Sequence, residues 1–76
     1  MVKYRITEKT VDHPEIGTYD SYGICAYQTG PYAERMIACF YDVFAERKKA
    51  EELVELCNSL ELDPIHLEDV VEDALS

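Results

Sequence analysis

The hydrophobic period of this chain changes once, near Phe44, and that change constrains the fold more than any other feature. Before it, apolar residues alternate with a period of two; after it, they recur at intervals of three and four. Strands first and helices afterwards define an α+β protein. The expected architecture is a three-stranded antiparallel sheet followed by two helices packed on one of its faces.

Val2-Lys3-Tyr4-Arg5-Ile6-Thr7 alternates strictly and reads as a first strand over about residues 2–7, half buried, with Lys3, Arg5 and Thr7 outward. Glu8 to Gly17 is polar, contains His13-Pro14 and ends in glycine, so it reads as a connection. A second strand over about 18–28 is rich in tyrosine and small residues, and Gly23 inside it marks a bulge or a close backbone approach. Thr29-Gly30-Pro31-Tyr32 is a turn, and Met36 to Val43 is the third strand. A hairpin centred near Tyr32 sets Cys25 opposite Cys39 and Ile24 opposite Phe40. Because side chains alternate, two faces follow. One carries Tyr22, Ile24, Ala26, Met36, Ala38 and Phe40. The other carries Cys25, Tyr27, Ile37, Cys39 and Tyr41. Both are largely apolar, which is unusual for a small antiparallel sheet with one wet side.

Beyond Phe44, Ala50, Leu53, Val54, Cys57 and Leu60 form a helical stripe, which predicts a helix over about 45–59. Asp63 is a suitable cap, and Pro64 suits the first position of a second helix over about 64–75. Its inner face is Leu67, Val70, Val71, Ala74 and Leu75. Its back is acidic: Glu68, Asp69, Glu72 and Asp73.

The 76 residues make one domain over positions 1–76. A chain of this size buries only about 60–65% of its unfolded surface, so small domains often add a disulfide, a metal or a second copy. The three cysteines are odd in number and lack CxxC spacing, so they read as reduced thiols. Met1 to Thr10 has no apolar signal core, and no run approaches the roughly 20 apolar residues that span a bilayer. The expected compartment is the cytoplasm.

The net charge of −9 is uneven. Residues 1–41 hold four basic and five acidic side chains, and residues 42–76 hold three and eleven. Such a C-terminal half repels phosphate backbones, so neither nucleic acid nor an anionic membrane is expected as a partner. A helix-turn-helix reading fails for the same reason, since the second helix carries four acids and no lysine or arginine. An acidic mimic of nucleic acid remains a minor alternative, against the plainer reading of a solvated helix face.

Glu52 to Asn58, then Leu60 to Asp73 with its Pro64-Ile65-His66-Leu67 and Asp69-Val70-Val71-Glu72-Asp73 runs, resembles a family of short bacterial proteins of unknown function. The match is strongest from Glu52 to Asp73. Tyr4 to Glu8, Thr18-Tyr19 and Tyr22-Gly23-Ile24 fit it more loosely. The resemblance implies no activity. Where it implies a Ser or Thr cap after Asp42-Val43, this chain has Phe44-Ala45. The first helix is then left with two starts, near Ala45 or capped directly by Asp42.

Little in the sequence carries chemistry. Cys25, Cys39, Cys57, His13 and His66 lack the paired spacing of a structural zinc site, and no metal or other cofactor is expected. Cys57 and His66 would meet in a helical hairpin as thiol and base, but Cys57 sits mid-stripe and reads first as core. The carboxylates of the second helix lack a calcium loop. There is no phosphate-binding loop or nucleophile elbow. No enzymatic activity is therefore expected.

What remains is the second apolar sheet face and six tyrosines. One helical layer shields one side. An interaction surface for another protein or a second copy is thus expected at Tyr27, Ile37, Cys39 and Tyr41. The alternatives are tyrosines scattered without a docking role, and a small-molecule pocket or minor enzyme site near Tyr22, Cys57 and His66.

Overall fold

The computed structural model describes residues 1–76 and gives the expected α+β fold. Strands β1 (Val2–His13), β2 (Gly17–Thr29) and β3 (Glu34–Phe44) form one antiparallel sheet in the order β1-β2-β3. Helix α1 (Arg47–Ser59), a 3-10 turn (Pro64–His66) and helix α2 (Leu67–Leu75) follow.

β1 and β2 pair without interruption from Val2↔Gln28 to His13↔Gly17. The stretch from Glu8 to His13, expected as a connection, is therefore strand. Thr10 and Asp12 are exposed, so nothing requires apolar residues there, and the alternation fades while the hydrogen-bonded ladder continues. The turn closes on Gly17 at φ 93°, a conformation that favours glycine.

β2 and β3 pair as expected at Ile24↔Phe40, Cys25↔Cys39 and Ala26↔Ala38, but the ladder is irregular on both sides of this run. Tyr27 faces Met36, which leaves Ile37 as an extra residue. Met36 therefore shares the side of Tyr27, a correction to its expected place beside Ala26. On the other side Tyr22 faces Phe44, so Tyr41, Asp42 and Val43 bulge opposite Gly23 alone. Gly23 must be glycine, because a Cβ there would overlap the Phe40 carbonyl oxygen. The bulge puts Asp42 at φ 55° and lays its carboxylate 2.5 Å from the hydroxyl of Ser21, which donates to it and is only 2% exposed.

Both helices pack on one face. Tyr4, Ile24 and Ala26 from the sheet meet Leu53, Cys57, Leu67 and Val71, with Ala38, Phe40, Val54 and Val70 around them. Each fully buried side chain of Leu or Ile size contributes roughly 1.5–3 kcal/mol. Helix α1 starts after Glu46, whose side chain makes no capping bond. Asp42 does not cap it, because that carboxylate is engaged at Ser21. Arg47, Lys48 and Lys49 in the first turn oppose the helix dipole. Arg47 is offset by carboxylates of Glu8 and Glu51 at 3.1 and 2.8 Å.

α1 ends in a Schellman arrangement: Leu62 N–H donates to the Cys57 carbonyl, and Glu61 N–H to that of Asn58. Glu61, at φ 48°, occupies the left-handed position usually given to glycine. Asp63 then accepts from Ile65 N–H at 3.1 Å with Pro64 at the first helical position, as expected. The turn it caps is 3-10, and α2 begins only at Leu67.

Candidate functional site

The side of the sheet away from the helices is the candidate surface. Tyr4 lies in the core, so Lys3, Arg5, Thr7 and Lys9 point outward from β1. Tyr27, Cys25, Gly23 and Ser21 are their partners on β2, with Met36, Cys39 and Tyr41 beyond on β3.

The face has an internal brace. The Arg5 guanidinium lies 5.1 Å from the centroid of the Tyr27 ring and donates to both oxygens of Glu34 at 2.8 and 2.6 Å. It reaches from β1 across β2 to β3. The fork geometry fixes the guanidinium plane over the ring. Tyr27 is consequently half buried within the chain rather than open, whereas Ile37 and Tyr41 are exposed, the latter by 55%.

Cys25 and Cys39 occupy the centre. Asn58 takes both main-chain groups of Tyr4 on the outer edge of β1, so the Tyr4–Ala26 pair is non-hydrogen-bonded and the Arg5–Cys25 pair is hydrogen-bonded. Cys25 therefore directs its main-chain groups to β1, and Cys25–Cys39 is a non-hydrogen-bonded pair of the β2–β3 ladder. That spacing is the narrow one, and the Cα atoms stand 4.0 Å apart. The two sulfurs form a disulfide. This corrects the expectation of three reduced thiols: only Cys57 is free. An odd cysteine count argues against a bridge, yet the register sets this pair face to face.

Charge separates to the margins. Lys3 and Lys9 lie along β1, and neither forms an ion pair. The carboxylates of Glu34 and Asp42 lie on the β3 side. Both sheet edges are blunted against strand addition, β1 by Asn58 and β3 by its two bulges.

The residues proposed for a pocket are not brought together around one. Cys57 is 1% exposed in the core, and burial pushes its thiol pKa up, opposite to the depression an activated nucleophile needs. His66 is exposed at the end of the 3-10 turn, and Tyr22 faces Glu8 and Phe44. Two grooves run along the β1 edge on either side of Asn58, one past Lys3, Glu34, Glu61 and Asp63, the other past Ile6, Val54 and Glu55. No group of three His, Cys, Asp or Glu side chains is placed to hold a metal ion. No helix is long and apolar enough to cross a membrane.

The sequence reading missed Asn58, which near a helix end reads as a terminator, and the Arg5–Glu34 brace, whose partners are 29 residues apart. The alternation of β1 did place Arg5 outward, but nothing in the order of residues paired it with Glu34.

Neither the curated proteins nor the solved structures contain a match to this chain. A family model does match, over residues 1–76, with the description of a family of unknown function. The chain, with its braced sheet face and its single helical layer, thus belongs to DUF6514, a family of unknown function.

Proposed function

We propose that the protein is a non-catalytic interaction module that docks another protein on the outer face of its sheet, in the first instance a second copy of itself. The observation that carries this reading is the layout of the face. It has an aromatic and apolar middle, unpaired lysines along the β1 margin and carboxylates on the β3 side. A two-fold axis running along the strands lays β1 of one copy over β3 of the other. Lys3 and Lys9 then meet Glu34 and Asp42 of the second copy. Two sheets facing each other this way pack as an aligned sandwich, and the same patch serves both copies.

Size supports the reading too. A domain this small has a limited core, and Met36 and Tyr41 are 50% and 55% exposed on the uncovered face. Tyrosine and methionine suit surfaces that are wet when free and dry when bound. The engagement of Cys57 in the core, apart from any base, supports a non-catalytic role.

Size-exclusion chromatography with light scattering on the wild-type protein tests the reading. A mass that rises towards twice the monomer with concentration is expected. A strict monomer at the highest soluble concentration counts against it.

A further inference from the structure

We propose that the Cys25–Cys39 pair is a reversible thiol–disulfide site, with Cys39 as the sulfur attacked and a glutathione-class thiol or a dithiol as its reaction partner. The inference stands on the register and burial of the pair and does not depend on the docking reading.

Three observations carry it. First, the pair is directly opposed at the narrow, non-hydrogen-bonded spacing, so a bond forms or breaks with no main-chain hydrogen bond between the two residues to lose. Second, access is one-sided. Cys25 is 3% exposed on the central strand, while Cys39 is half buried on an edge strand of the uncovered face. Only Cys39 offers a path to an incoming thiolate. Third, the bond sits at the middle of a three-pair run in the β2–β3 ladder. Ile24↔Phe40, Cys25↔Cys39 and Ala26↔Ala38 are bounded on each side by an irregularity. A clasp there fixes the placement of β3 between its two irregularities.

The chemistry balances in two exchanges. A thiolate of the reductant attacks Cys39 Sγ, the Cys25–Cys39 bond breaks, and Cys25 leaves as a thiolate that takes up a proton. The second thiol of a dithiol, or a second glutathione, then attacks the reductant sulfur of the mixed disulfide. Cys39 is released, and the reductant leaves as its own disulfide. Two electrons pass from reductant to protein. Oxidised glutathione drives the reverse.

The test uses full-length protein at a dilute concentration, where the outer face is open. The wild type is equilibrated with oxidised glutathione or with dithiothreitol and then alkylated in the folded state, and the products are read by mass. The oxidised protein is expected to take no label until unfolded, and then one, at Cys57. The reduced protein is expected to label at Cys39 first. In single variants, Cys25→Ser is expected to acquire one glutathione from oxidised glutathione at least about tenfold faster than Cys39→Ser, because only the former leaves the accessible sulfur. Amide exchange across β3 is expected to quicken on reduction. Equal glutathione uptake by the two variants overturns the proposal, as does a folded wild type that keeps both thiols free in excess oxidised glutathione. The unfolding transition of each variant is recorded, so that a variant failing to fold is replaced by its Ala counterpart.

Discussion

The side-chain amide of Asn58 bonds both main-chain groups of Tyr4: its oxygen accepts from the Tyr4 N–H at 2.8 Å, and its nitrogen donates to the Tyr4 carbonyl at 2.9 Å. A residue near the end of α1 thus plays the part of a fourth strand at one point on the β1 edge. The Tyr4 hydroxyl adds a third link, donating to the Leu62 carbonyl at 2.6 Å. Together these fix where the helical layer sits along the sheet, and so which face stays uncovered.

Asn58→Ala removes both bonds and leaves two partly buried main-chain groups without partners. A loss of about 1–3 kcal/mol is expected in urea unfolding. The freed edge is also expected to make the variant more prone to associate through strand pairing. An unchanged urea midpoint would show that the amide carries no weight.

Gly23→Ala forces a Cβ against the Phe40 carbonyl oxygen, a main-chain atom with nowhere to move while the bulge persists. A loss of at least about 2–3 kcal/mol is expected. Gly30→Ala is the control: its nearest neighbour, the Ala33 carbonyl oxygen, lies 3.5 Å away, and a change within about 0.5 kcal/mol is expected. Thermal unfolding of the pair distinguishes them.

Glu61→Gly is expected to stabilise the protein. The position has φ 48° at the end of α1, and a left-handed conformation costs an ordinary residue about 1–2 kcal/mol that glycine avoids. Part of that gain is returned as chain entropy in the unfolded state, so a net gain of about 0.5–1 kcal/mol is expected. A lower urea midpoint for the variant would contradict it.

Alkali is expected to unfold the protein through two core groups. Burial raises the thiol pKa of Cys57; burial first, then the nearby Cys57 and Asp63, raises that of the Tyr4 hydroxyl. In both cases the folded state holds its proton more tightly than the unfolded chain. Their contribution is full below the ordinary thiol and phenol values and is lost as pH rises from about 8.5 through 10 and beyond. Urea midpoints measured across that window are expected to fall, and to fall less steeply in Tyr4→Phe and in Cys57→Ala.

The elements were legible where burial imposes a pattern. Tyr4, Ile6, Ile24 and Ala26 announced the inner face, and Ala50, Leu53, Cys57, Leu67 and Val71 announced the helices against it. The distal half of β1 was not legible, because Thr10 and Asp12 face solvent and the ladder there is held by main-chain bonds alone. Gly23 signalled its bulge. Ile37 did not, since an apolar residue gives no sign that the chain has gained one position against its partner. At the candidate site, counting from the turn sets Cys25 opposite Cys39, but an odd number of cysteines carries no sign of their bond. Tyr27 does lie on the uncovered face, but the brace over it is not legible, because it depends on Arg5 and Glu34 from two other strands.

Sedimentation equilibrium of the wild type, Tyr41→Lys and Tyr32→Lys tests the docking face most directly. Tyr41 lies on that face, whereas Tyr32 is 99% exposed in the β2–β3 turn. A wild-type dimer is expected, weakened at least about tenfold, or 1.4 kcal/mol, by Tyr41→Lys and untouched by Tyr32→Lys. A wild type that stays monomeric, or two variants that behave alike, would contradict the account.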